Sequence, residues 1–230
     1  MEAIALISGG IDSAVSSLIA SERGIRPALA LTFDYGQKAA KREIEAASYL
    51  ASILNTRHLV VELPFFKEIG GSSLTSGEAL PSLLPSELDG ERGAAASKAV
   101  WVPNRNGVFI SIAAAFAEGM GASYIIAGLN REEGERFPDN SRGFVEAMEH
   151  LLSYSTLTRP RLFSGVIDMD KEEIFKEALR LGLEVRNLWF CYDGGDVWCG
   201  RCESCARTMR AMERLGILER YAPLFRGDAF

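Results

Sequence analysis

The chain has 230 residues, 47% of them hydrophobic and 24% charged, with a formal net charge of −6. That length fits one large domain, or one domain with an appended lobe, and the composition is that of a globular protein able to bury a substantial core. The acidic balance and the lack of a basic face argue against tRNA or DNA as the main ligand. The start Met1-Glu2-Ala3-Ile4-Ala5-Leu6-Ile7 has neither the basic residues nor the length of a signal peptide. No apolar run approaches the roughly 20 residues of a membrane span, so the expected location is the cytoplasm.

Strand and helix signals alternate through the first half. Residues 3–7 form a short apolar run, read as a buried strand, and Gly9-Gly10 punctuates it. Residues 12–23 carry Ala14, Val15, Leu18 and Ile19 at helical spacing. A second strand is predicted over 28–33, an amphipathic helix over 38–54 and a third strand over 58–63. This order predicts an α/β protein with a parallel sheet, right-handed crossovers and helices on both faces, its ligand at the carboxyl ends of the strands. Residues 64–100, rich in Gly, Ser and Pro, are read as a mobile flap. Beyond them come a helix over 104–119, a strand over 123–127, a polar loop over 128–140, a helix over 142–154, a strand over 161–166, a helix from Asp170 to about Gly182 and a last helix over 204–215.

Ser8-Gly9-Gly10-Ile11-Asp12-Ser13 lies between the first strand and the first helix. Unpaired N–H groups and the positive end of the helix dipole suit that position to an anion. Ser8 and Ser13 add hydroxyls, and Asp12 either caps the helix or holds Mg²⁺ beside phosphates. The glycine pair alone is equally a plain turn. The loop lacks the lysine of the Gly-x4-Gly-Lys-Ser/Thr motif.

The four cysteines, Cys191, Cys199, Cys202 and Cys205, fall in one segment with spacing Cys-x7-Cys-x2-Cys-x2-Cys. Such a cluster reads as metal ligands, foremost a closed structural Zn²⁺ site. An iron–sulfur cluster and redox-active thiols are the alternatives.

The phosphate loop resembles that of the PP-loop ATP pyrophosphatases. Together with Phe33-Asp34-Tyr35-Gly36-Gln37, Val102-Pro103-Asn104-Arg105-Asn106, Cys191-Tyr192-Asp193-Gly194-Gly195 and the cysteines, it resembles the QueC/ExsB family of 7-cyano-7-deazaguanine synthases over about residues 3–218. The resemblance implies a Rossmann-like, adenine nucleotide alpha hydrolase-like domain over 1–185 and a small zinc-binding helical lobe over 186–230. It implies that 7-carboxy-7-deazaguanine, ATP and ammonia give the nitrile through an acyl-adenylate and an amide, with AMP and pyrophosphate released. It also implies a homodimer, with contacts expected at the helix over 104–119 and at the tail from Tyr221 to Phe230.

By the same resemblance, Ser8, Asp12, Ser13, Lys171 and Arg105 are the catalytic candidates. Ser8 to Ser13, Phe33, Asp34 and Gly128 would hold the nucleotide. Tyr35, Gly36, Gln37, Asn104, Arg105, Asn106, Asn130, Phe137 and Asp139 would hold the substrate, with Asp139 facing the guanine-like N1 and amino edge. Many family members read Ser-Gly-Tyr-Pro-Asp-Cys-Arg where this chain reads Glu135-Arg136-Phe137-Pro138-Asp139-Asn140-Ser141. That departure leaves open a relative that couples a deazaguanine acid to a different amine, including one on a protein.

Overall fold

The computed structural model describes residues 1–227. Residues 228–230, part of the tail expected at a dimer contact, lie outside the described residues. Five strands, β1 (Glu2–Leu6), β2 (Arg26–Asp34), β3 (Arg57–Glu62), β4 (Tyr124–Ile126) and β5 (Arg161–Phe163), form one sheet in the order β3-β2-β1-β4-β5. Every neighbouring pair is parallel, with Leu6 opposite Leu31 and Ala5 opposite Ile126. The chain winds outward from β1 in both directions, so the switch point lies between β1 and β4, where a parallel sheet opens a crevice at its carboxyl edge.

Ten helices complete the described chain: α1 (Ile11–Glu22), α2 (Ala40–Ile53), α3 (Phe65–Ile69), α4 (Glu91–Val100), α5 (Arg105–Met120), α6 (Arg131–Gly134), α7 (Arg142–Ser155), α8 (Lys171–Arg180), α9 (Glu203–Arg214) and α10 (Leu218–Tyr221). Alternation along β1 splits the core. Ala3, Ala5 and Ile7 pack with residues of α1, α2, α8 and α9 on one face, and Ile4 packs with residues of α5 and α7 on the other. All four cysteines belong to the first of these cores. Among the described residues, no helix is long and apolar enough to cross a membrane.

The long helices lie where periodicity predicts them. Helix α4 does not announce itself, because its buried face is Gly93, Ala96, Ser97 and Val100, at helical spacing but mostly small. Residues 64–100 also bury Phe66, Leu74, Leu83 and Leu88, and Leu83 N donates to Arg201 O at 2.7 Å. The polar stretch after β4 contains α6 and a 3₁₀ turn at Pro138–Asn140, both too short to carry a period. Strand β5 ends at Phe163 rather than Val166.

Candidate active site

Helix α1 begins without a side-chain cap. Its N-cap is Gly10, and the first-turn N–H groups of residues 11–13 have no acceptor within the helix. Ser8 and Ser13 brace the loop: Ser8 N donates to Ser13 Oγ at 3.2 Å, Ser13 Oγ donates to Gly10 O at 3.2 Å and Gly10 N donates to Ser8 Oγ at 3.3 Å. Two glycines set its depth. Gly9 has φ +81°, and a Cβ there would lie 2.5 Å from Glu43 O. Gly128, after β4, closes on the first turn of α1, where a Cβ would meet Ser13 N at 2.4 Å. Gly128→Ala is therefore expected to push the loop off its seat, costing about 1–3 kcal/mol in denaturant melts and weakening nucleotide binding in a calorimetric titration.

Behind the loop is a buried lysine. An Asp170–Glu173 capping box starts α8 and puts Lys171 in its first turn, the wrong end of the helix dipole for a cation. Carboxylates hold it there. Lys171 Nζ donates to Asp12 Oδ1 and Oδ2 at 2.8 and 2.7 Å and lies 3.4 Å from Glu133 Oε1. Burial opposes the Lys171 charge, but Asp12 and Glu133 outweigh it and hold the ammonium firmly protonated. Burial pushes Asp12 up to about 6 against the pull of Lys171, and Glu133 adds to the rise.

A cavity of about 210 Å³ runs from this loop across the carboxyl edge of the sheet. Ser8, Gly10, Asp12, Ser13 and Gly128 line one end, and Phe33, Tyr35, Gln37, Arg105 and Asn106 the other. Arg105 lies 5.6 Å over the Tyr35 ring and donates to its hydroxyl at 3.1 Å. Gln37 is fixed by Tyr35 N, which donates to Oε1 at 2.9 Å, while its Nε2 donates to Phe33 O at 3.1 Å. Gly36 N donates to Asp34 Oδ1 at 2.9 Å, closing the turn after β2.

A smaller adjoining cavity shares Leu74, Arg105, Glu133, Asn140 and Tyr192 with the first and adds Trp101, Phe137 and Asp139. Trp101 and Phe137 are nearly parallel, 7° apart with centroids at 5.9 Å. Asp139 is buried; Oδ2 accepts Asn106 N at 3.4 Å and Oδ1 accepts Asn140 Nδ2 at 3.1 Å. Burial raises its carboxyl above the usual range, with Arg105 opposing.

Other expected site residues stand back from both cavities. Asn104 is the left-handed N-cap of α5, its side chain laid over Gly107. Asn130 caps α6 through Oδ1, and its buried Nδ2 has no protein partner. Arg131, Arg136 and Arg142, the arginines nearest the altered loop, pair with Asp170 and Glu173, with Asp89, and with Asp168. Sequence reasoning missed Glu43, Trp101, Phe109, Glu133 and Trp189, which all line the cavities. Glu43 stands six residues after Gln37, the last residue of the Phe33-Asp34-Tyr35-Gly36-Gln37 motif.

The four cysteine sulfurs all lie within 4.8 Å of one another, buried, with Cys199 and Cys205 Sγ at 3.9 Å. Zn–S bonds of about 2.3 Å in a tetrahedron require sulfurs about 3.8 Å apart, so the donor set fits that ion. Backbone N–H groups point at the sulfurs: Cys199 N donates to Cys191 Sγ at 3.3 Å, Cys202 N to Cys199 Sγ at 3.2 Å and Cys205 N to Cys202 Sγ at 3.5 Å. Such bonds stabilise thiolates. The segment also reaches the loop, since Trp189 N donates to Gly9 O at 2.9 Å and Trp189, Phe190 and Tyr192 line the main cavity.

Fold and site define a parallel α/β protein that aims an uncapped helix N-terminus, braced by serines and backed by a buried lysine, into a cavity at the switch point of its sheet. The model of the family described as "Queuosine biosynthesis protein QueC" matches residues 2–216, nearly the whole chain. The chain belongs to that family. It is 50% identical over 217 residues to the 7-cyano-7-deazaguanine synthase of Desulforudis audaxviator, covering 94% of this chain and 98% of that one. It is 49% identical over 219 residues to the synthase of Pelotomaculum thermopropionicum, covering 94% and 99%, and 45% identical over 225 residues to that of Methanocaldococcus jannaschii, covering 94% and 97%.

Proposed function

We propose that this chain is a 7-cyano-7-deazaguanine synthase: an ATP-dependent carbon–nitrogen ligase that converts 7-carboxy-7-deazaguanine and ammonia to the nitrile. The observation that carries the reading is full-length identity of up to 50% to proteins of that name. It is supported by two adjoining cavities that share Arg105, one reaching the loop from Ser8 to Ser13 and the other lined by Trp101, Phe137 and Asp139.

The chemistry follows from the residues. A carboxylate is a poor electrophile, and transfer of AMP to its oxygen, with loss of pyrophosphate, turns that oxygen into part of a good leaving group. The first-turn N–H groups of α1, the Ser8 and Ser13 hydroxyls and the Lys171 ammonium stabilise charge developing on the phosphates. Arg105, held by Tyr35, orients the acid's carboxylate from the far side of the cavity. Mg²⁺ would neutralise pyrophosphate when bound, beside Asp12 and Glu133, whose oxygens converge on Lys171. Zn²⁺ on the four cysteines would be structural, as a closed thiolate set leaves no open position.

Phe137 and Trp101 offer flat faces to the deazaguanine, and Asp139 accepts its adjacent N–H donors. Each such bond to a charged group contributes about 1.5–3 kcal/mol, so Asp139→Asn is expected to raise KM for the acid about 10- to 100-fold while KM for ATP holds. Residues 64–100 are read as the cover of the site, since Leu74 lines both cavities and Lys38 Nζ donates to Ser76 O. A homodimer belongs to the same reading: Ile112 and Phe116 of α5 are only partly buried, and light scattering would give the mass.

The direct test is product mass. Acid, ATP, Mg²⁺ and ammonium should yield the nitrile with AMP and pyrophosphate. Release of ADP, or a stable amide to another amine, would overturn the assignment.

A further inference from the structure

One cavity carboxylate has no part in adenylation. Glu43, in the first turn of α2, lines the main cavity beside Tyr35, Gln37 and Arg105. Its Oε2 accepts Gln37 Nε2 at 2.7 Å. Among the described residues, no cation stands within ion-pair distance of it.

A structural role would be to anchor Gln37. That side chain is already fixed at both ends, by Tyr35 N and by Phe33 O. The dependence runs the other way: a fixed amide aims the carboxylate. The charged and titratable groups facing Glu43 are Arg105 of α5, which favours its ionised form, and Asp34 and Tyr35 at the end of β2. Burial, the largest influence, pushes its carboxyl up to about 7.

The proposed reaction needs such a group. Ammonium, the dominant species at neutral pH, has no lone pair and cannot attack a carbonyl. A carboxylate set to titrate near the working pH both attracts the cation and takes its proton.

We propose that Glu43 is the catalytic base that binds ammonium and deprotonates it for attack on the activated carboxyl carbon. This rests on the function proposed above. One N–H proton passes to a Glu43 oxygen. The freed nitrogen pair forms the C–N bond, and the bond from the acyl carbon to the phosphate oxygen breaks. A second N–H proton leaves on AMP, giving the amide, and Glu43 returns its proton to solvent.

Glu43→Gln keeps the shape and the acceptor for Gln37 but loses the base. In this variant, acid-dependent exchange of pyrophosphate into ATP, measured without amine, should stay near wild type. Ammonium-dependent product should fall about 100-fold or more. Hydroxylamine, largely unprotonated at neutral pH, should still give hydroxamate within a few-fold of wild type. Ammonium turnover close to wild type would overturn the proposal, as would equal losses of exchange and of both amine reactions. Failure of the wild-type protein to exchange pyrophosphate with the acid would instead overturn the substrate assignment, and the base with it.

Discussion

Lys171→Met is expected to abolish pyrophosphate release from ATP and to destabilise the fold by about 3–5 kcal/mol, the usual cost of removing one partner from a buried ion pair. The lysine side chain is 7% exposed and its nearest partner, Asp12, 20%. Without the ammonium, Asp12 and Glu133 face each other in a site where burial already disfavours charge. The two effects can be separated. Adding Asp12→Asn to Lys171→Met removes one orphaned carboxylate, so denaturant midpoints should recover substantially while pyrophosphate release stays absent. If the double variant recovered turnover together with stability, Lys171 would be a structural residue and not a phosphate ligand.

Removing the metal should have an effect as large. Structural zinc binds zinc-finger peptides with about 10–16 kcal/mol of free energy, comparable with the whole stability of a domain at about 5–15 kcal/mol. Here the four cysteines sit in the same core as Ile7, Ile11 and Val15, and packed against that core is Trp189, whose N–H bonds Gly9 in the loop before α1. Cys199→Ser should bring metal content from one zinc per chain to near zero, lower the melting temperature sharply and expose the region around α9 to protease. Stripping wild-type protein with a chelator should do the same, and ATP turnover should fall in step. Iron found in place of zinc, or full turnover of a metal-free chain, would contradict this account.

What the sequence discloses about this molecule follows contiguity. The loop from Ser8 to Ser13 and the cysteine run from Cys191 to Cys205 are each one short continuous segment, so both stand out before any fold is known. Strands β1 to β3 and helices α1 and α2 carry clear periods, which is enough to infer the parallel sheet and the carboxyl edge where the cavity lies. Only the family resemblance singles out Arg105 and Asp139, because nothing in their own neighbourhoods separates them from a residue at a helix start and a turn aspartate.

Glu43 was hidden for a different reason. Beside Lys41, Arg42 and Glu45 it looks like part of a solvated helix face, and only the turn of α2 that presses Gly9 to its backbone brings it into the cavity. Arg207 shows the reverse. Placed two residues after Cys205, it reads as a counter-charge for thiolates, yet it pairs with Glu203 at 2.6 Å and with Glu132 at 2.7 Å, and Glu132 in turn accepts Lys171 N. Such long-range pairings leave no local mark. Helix α4 leaves none either, since small residues pack tightly without a hydrophobic pattern.

The most direct measurement follows the oxygens of the acid. 7-Carboxy-7-deazaguanine labelled with ¹⁸O at both carboxyl oxygens should give nitrile and two molecules of AMP, each carrying one ¹⁸O, because each oxygen departs on an adenylate. Unlabelled AMP, or label found only in inorganic phosphate beside ADP, would contradict adenylation at the loop from Ser8 to Ser13.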